Sequence, residues 1–143
     1  MDGISDLFEM NNLNIFGPKK YFAQLEGSKV FSKRFMQDNN LPTADYKEFD
    51  DIEKAVYYVK SKKAPIVVKY DGLAAGKGVD ICESQDEAES SIKNLLKPNE
   101  KIIVEDFIKG IELSSIYICN PNASKKTIAV SYTHLTLPTS SWV

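Results

Sequence analysis

Apolar and polar positions change period in an orderly way between Leu41 and Phe107. From Ala44 to Phe49 they roughly alternate, which predicts a half-buried strand. Ile52, Ala55, Val56 and Val59 then recur at helical spacing, behind Asp50 and Glu53, which resemble a capping box. Lys60, Lys62 and Lys63 close that helix, where cations suit its dipole. Ile66, Val67 and Val68 form a short β-branched run, as a covered strand requires. Val79-Asp-Ile-Cys82 reads as a second strand after a glycine-rich stretch. Ser84 and Glu87 form another capping pair, followed by the helical stripe Ala88, Ile92, Leu95 and Leu96, stopped by Pro98. Lys101 to Phe107 reads as a further strand. The order β-α-β-β-α-β is a split βαβ unit, an α+β lobe with its helices on one face of an open sheet.

The flanks are less regular. Ile4, Leu7 and Phe8 give a weak helical stripe ending near Asn11-Asn12, and Leu13 to Phe16 reads as a short strand broken by Gly17-Pro18. Lys19 to Asn40 reads as two helices separated at Gly27-Ser28, with Ser28 capping the second. Lys29 and Lys33 lie four residues apart on one face of that helix, and on the residues alone this is a solvated basic face. Ile111 to Cys119 predicts a strand, with Thr127 to Val130 pairing back as a hairpin. Asn122-Ala-Ser124 reads as a chance glycosylation sequon. Residues 131–143 contain no charge and no helical or strand period, which reads as a loose tail.

Composition narrows the function classes. A chain of 143 residues allows one ordinary domain or two small lobes, and 43% apolar content is enough for a core. A formal net charge of −2 argues against an electrostatic nucleic-acid or membrane binder. No apolar run is long enough to span a membrane, and the acidic start Met1-Asp-Gly-Ile-Ser-Asp6 lacks the features of a signal peptide. Cys82 and Cys119 read as buried thiols in a reducing cytoplasmic setting, and His134, the only histidine, gives no basis for zinc.

The chemistry concentrates in two places. Lys69 ends the covered strand, and Gly72, Gly76 and Gly78 follow around Lys77. Glycines let backbone N–H groups approach an anion closely, and consecutive amides of that kind form a concavity for phosphate. The spacing is not that of a Walker A loop, because Gly78 stands where a Mg²⁺-binding hydroxyl belongs and a strand follows. A mobile hairpin loop with solvated lysines is the other reading. The second place is Glu105-Asp106-Phe107-Ile108, followed by Glu112 beyond Gly110. By themselves these carboxylates read as a solvated strand end. Beside a phosphate loop, they can line a nucleotide crevice with a backbone hinge at the base.

Together the two places resemble the ATP-grasp enzymes. Gln24-Leu-Glu-Gly-Ser-Lys29, Pro42-Thr-Ala44 and Asp71-Gly-Leu-Ala-Ala-Gly-Lys-Gly-Val79 resemble, more narrowly, the phosphoribosylamine–glycine ligase family, from about Asp2 to Val130. That resemblance implies an ATP-grasp fold and an ATP-dependent carbon–nitrogen ligase of purine biosynthesis. In it glycine is activated as glycyl phosphate and attacked by the amine of 5-phosphoribosylamine. It implies ATP with Mg²⁺ or Mn²⁺, small-molecule substrates, and neither nucleic acid nor membrane as partner. It assigns Lys29 and Lys69 to the ATP phosphates, the loop with Gly72, Gly76, Lys77 and Gly78 to a mobile cover, and Glu105, Asp106, Phe107 and Ile108 to the adenine hinge. Glu112 becomes the ribose-binding acid, while Lys33 stays on the solvated face.

The family pattern further implies that residues 1–16 are the remnant of an N-terminal nucleotide-fold domain. Residues 17–130 are then part of an ATP-grasp domain, with the small ATP-binding lobe at 41–107 and a non-family tail at 131–143. A fragment of this kind carries no catalytic residue, and its metal ligands are expected beyond its end. A nucleotide-binding module without catalysis, and another ATP-grasp carboxylate–amine ligase, are the alternative readings.

Overall fold

Four antiparallel strands, in spatial order Tyr46–Phe49, Ile102–Asp106, Ile66–Tyr70 and Val79–Cys82, carry the first of the two units into which the chain divides, Met1–Ile108 and Lys109–Val143. The computed structural model describes residues 2–74, 76–111, 114–118 and 128–132. In chain order the first unit holds α1 (Ile4–Met10), α2 (Lys20–Gly27), α3 (Lys29–Asp38), β1 (Tyr46–Phe49), α4 (Ile52–Lys60), β2 (Ile66–Tyr70), β3 (Val79–Cys82), α5 (Gln85–Leu95) and β4 (Ile102–Asp106). The second unit holds an antiparallel hairpin of β5 (Ser114–Ile118) and β6 (Ile128–Tyr132), in which Ile118 pairs with Ile128. β6 therefore includes Ser131 and Tyr132, at the start of the stretch read from sequence as an uncharged tail.

The β-α-β-β-α-β order is present, and α4 and α5 pack on one face of the sheet. Successive strand residues point to opposite faces. Ile66 and Val68 of β2 and Ile102 and Val104 of β4 accordingly meet Ala55, Val59, Ala88 and Ile92 from the helices in one buried cluster. Each fully buried aliphatic side chain contributes roughly 1.5–3 kcal/mol relative to an exposed one.

The caps follow from the same burial. Helix α4 begins at Ile52, which turns Ala55 and Val59 inward, so the cap is Asp51, whose carboxylate accepts from the Lys54 N–H at 2.8 Å. The expected pair of Asp50 and Glu53 is thus displaced by one residue. Ser84 caps α5 through the Glu87 N–H at 3.2 Å, while the Glu87 carboxylate accepts from the Glu83 N–H, one residue ahead of the expected partner. Leu13 to Phe16 is not a strand. The Leu13 N–H turns back to the Phe8 carbonyl, and among the described residues no strand pairs with this segment, so its backbone has no ladder to join.

The opposite face of the sheet is not open. Val67 and Ile103 point that way and are buried, as is Val30 of α3. Helix α3 is tied to this face by polar contacts at several points. Arg34 makes a two-pronged ion pair with Glu48 at 2.6 Å, and the Tyr46 hydroxyl donates to Gln37 at 2.9 Å. This second face carries the candidate site.

Candidate functional site

The β2–β4 register decides which charged groups meet. Val67 lies opposite Glu105 and Lys69 opposite Ile103, so Lys69 and Glu105 are diagonal neighbours on the face away from α4 and α5. The Lys69 ammonium lies 3.0 Å from Oε1 and 3.1 Å from Oε2 of Glu105, whose side chain is only 5% exposed. Lys33 reaches the same carboxylate from α3, 3.1 Å from Oε2. Its side chain is 11% exposed, and it donates to the Thr43 hydroxyl at 2.7 Å and, at longer range, to the Ala44 carbonyl at 3.4 Å.

Lys33 is therefore not on a solvated face, as its spacing from Lys29 suggests. The helix turns that basic face onto the sheet, where a buried carboxylate offsets the cost of removing the cation from water.

The glycine stretch joins β2 to the edge strand β3. Its start is pinned to the beginning of α3 by Asp71. The Asp71 carboxylate accepts from the Ser28 hydroxyl at 3.0 Å and from the Val30 N–H at 3.1 Å, a negative charge placed at the positive end of the helix. Ser28 in turn accepts from the Phe31 N–H, so Ser28 caps the helix as its sequence suggests. The Asp71 N–H donates to the Lys101 carbonyl. Lys29 donates to the Gly72 carbonyl at 2.9 Å, which places its ammonium at the loop.

Gly72 has φ +147°, and a Cβ there would stand 2.7 Å from the Tyr70 ring. Gly78 is crowded differently, because a Cβ would meet that of Ala74 at 2.6 Å. Both positions need glycine for steric reasons, whatever the loop binds.

These groups surround a groove of about 690 Å³ lined by Lys29, Lys33, Thr43, Lys69 and Glu105, with Gly72 and Gly76 on the loop side. The remaining sequence candidates lie elsewhere. Lys77 is exposed and is not among the lining residues. Asp106 turns its side chain to Lys62 at 2.7 Å, and its N–H donates to the Asp45 carbonyl. Lys62 also lies over the Tyr58 ring, and its ammonium titrates above the ordinary lysine value, chiefly because it is bonded to Asp106. Phe107 and Ile108 follow β4 with exposed side chains. Glu112 lies outside the described residues.

The residues missed from sequence are Asp71, Thr43 and, as a buried partner, Lys33. Asp71 precedes the loop's first glycine and had a visible partner type in the helix start Ser28-Lys29. The contact spans 43 residues, and nothing local reveals it.

A family described as phosphoribosylglycinamide synthetase, ATP-grasp (A) domain, matches residues 27–136. The chain belongs to this family. A phosphoribosylamine–glycine ligase from Yersinia pestis is 48% identical over 120 residues, covering 80% of this chain and 28% of that relative. The crystal structure of a phosphoribosylamine–glycine ligase from Thermotoga maritima superposes with a TM-score of 0.70 at 32% identity, over 87% of this chain and 33% of that one. A carboxyaminoimidazole ribonucleotide synthase from Aspergillus clavatus, solved in complex with ATP, matches at a TM-score of 0.68 and 18% identity, over 92% and 34%, a likeness of fold alone. The chain thus has an ATP-grasp fold and spans about a third or less of these phosphoribosylamine–glycine ligases. In this ATP-grasp family member the glycine loop, α3 and the outer face of β2 and β4 line one open groove, in which the lysines and Glu105 stand among apolar side chains such as Leu25, Met36 and Leu73.

Proposed function

We propose that this chain is the ATP-binding lobe of an ATP-dependent ligase that joins glycine to 5-phosphoribosylamine through a glycyl phosphate. The observation that carries the reading is the convergence of Lys29, Lys69 and the glycine loop on one groove, Lys29 meeting the Gly72 carbonyl across 43 residues of sequence. In this role Lys29 exchanges the Gly72 carbonyl for phosphate oxygens. Lys69 presents the part of its ammonium that Glu105 leaves free. Fixed cations and backbone amides in a closed cleft stabilise charge spreading over a transferring phosphoryl group. The loop between Gly72 and Gly78 admits the nucleotide and then closes over it.

The hinge from Glu105 to Ile108 is assigned to the adenine edge in the same proposal, with the backbone of Phe107 and Ile108 at the ring, and Glu112 to the ribose. Anchoring of Asp106 by Lys62 and Asp45 supports a fixed backbone at that point. Among the described residues no group of three or more carboxylate, histidine or cysteine side chains is placed to hold a metal. The groove's own carboxylate, Glu105, is paired with two lysines. That donor set does not fit Mg²⁺ or Mn²⁺. No helix among the described residues is long and apolar enough to cross a membrane. A cytoplasmic setting belongs to the same proposal, and the buried, free Cys82 agrees with it.

Isothermal titration of the chain with MgATP tests the reading. Saturable one-to-one binding that competes with ADP is expected. Heat indistinguishable from dilution, up to millimolar nucleotide, overturns it.

A further inference from the structure

The Glu105 side chain is almost wholly buried and faces two lysines with its one carboxylate. The two lysines are not equivalent. Lys33 is 11% exposed, donates to the Thr43 hydroxyl and the Ala44 carbonyl, and lies 3.1 Å from Glu105 Oε2 as an ion pair. Lys69 is 27% exposed, donates to Glu105 Oε2 at 3.1 Å, has no other hydrogen-bond or ion-pair partner among the described residues, and lines the groove. Glu105 Oε1 lies 3.0 Å from the Lys69 ammonium yet outside hydrogen-bond alignment, and accepts no other hydrogen bond. The one carboxylate is thus shared, hydrogen-bonded by Lys69 and paired by charge with the more deeply buried Lys33.

We propose that Lys33 is a positioning residue that neutralises Glu105, leaving the charge of Lys69 available to a polyphosphate in the groove. The cluster of one carboxylate and two ammonium groups has a net charge of +1, and the burial pattern delivers that charge to the groove through Lys69. Without Lys33, Glu105 claims Lys69 entirely and the pair presents no net charge to an anion. Lys33 itself touches no ligand in this arrangement. The inference rests on the ATP-binding reading above.

The alternative role for Lys33 is a staple that only fastens α3 to the sheet. The two roles separate when nucleotide affinity is measured by calorimetry on the folded chain with Lys33→Met, Lys33→Arg, Glu105→Gln and the double variant Lys33→Met/Glu105→Gln. Circular dichroism establishes folding, and adenosine serves as the phosphate-free probe. Lys33→Met is expected to weaken MgATP binding about tenfold, the scale of one charge-assisted hydrogen bond, with adenosine binding unmoved. Lys33→Arg retains most of the MgATP affinity. The double variant recovers it to within about threefold of the unsubstituted chain, because no carboxylate remains to claim Lys69.

A staple gives the opposite pattern: equal loss for adenosine and MgATP, and no recovery in the double variant. That pattern overturns the proposal. Unchanged MgATP affinity in Lys33→Met overturns it as well and leaves the ATP-binding reading intact. Failure of the unsubstituted chain to bind MgATP overturns both.

Discussion

Removing the Asp71 carboxylate weakens the tie between the glycine loop and helix α3, leaving the bond from Lys29 to the Gly72 carbonyl in place, without touching the hydrophobic core. In Asp71→Ala the Ser28 hydroxyl and the Val30 N–H lose their shared acceptor, at 3.0 and 3.1 Å. A hydrogen bond to a charged group contributes about 1.5–3 kcal/mol, and partial exposure puts this one at the low end. The interaction of the carboxylate with the helix dipole adds about 0.3–1 kcal/mol. Ser28 keeps its own cap to Phe31, so the helix start is weakened and not abolished. The expected loss is about 2 kcal/mol, a fall in Tm of about 10 °C for a unit of this size. Urea denaturation followed by circular dichroism reads it directly. Asp71→Ala and Ser28→Ala combined should show a coupling of about 1 kcal/mol, since each removes the other's partner. A loss under about 0.5 kcal/mol with no coupling would mean that the carboxylate is solvated, and the loop's anchorage to α3 would be refuted.

Other perturbations test neighbouring parts of the structure. Gly72→Ala forces a Cβ into the Tyr70 ring at positive φ and should destabilise by about 1–3 kcal/mol, with nucleotide affinity falling in parallel; a neutral effect on both would contradict this loop geometry. Ile102→Ala opens a cavity under α4 and α5 and should cost about 2–5 kcal/mol in denaturant, whereas a loss under about 1 kcal/mol would deny it a central place in the core. Acid stability should depend on Glu48. Partial burial works to raise its carboxyl, but hydrogen bonds from Arg34 and Lys101 outweigh that and hold it below the ordinary glutamate value. A depressed folded pKa means stabilisation fully present above the unfolded value and lost as pH falls through the folded one. Glu48→Gln should therefore lower stability at pH 7 and flatten its decline below about pH 5; parallel pH profiles for both chains would remove Glu48 from the account.

The parts of this fold that were legible in the sequence are those set by local period. Val68 and Ile66 announce a covered strand, and Ala88 and Ile92 a helix face, because each pattern is complete within one element. Cap positions slipped where two candidates stood side by side. Asp51 prevails over Asp50 because burial of Ala55 and Val59 fixes the rotation of α4. The candidate site is a matter of non-local register. Lys69 and Glu105 share a face only because β2 pairs with β4 so that Val67 meets Glu105, and no local pattern states that pairing. The two basic residues on α3 carry the same ambiguity. Lys29 and Lys33 look alike at a four-residue spacing, yet one meets a loop carbonyl and the other a buried carboxylate. Family resemblance supplied the role expected of Lys29, while the contacts of Lys33 come from the packing of α3 alone.

The central claim is that nucleotide occupies the face of the sheet opposite α4 and α5. Amide chemical-shift mapping of the labelled chain, with and without MgATP, addresses it most directly. Shifts concentrated at Lys29, Lys33, Lys69, Gly72, Gly76 and Glu105 are expected. Shifts confined to Asp80–Asn94 or to the outer surface of α4, with the groove residues unmoved, would contradict it.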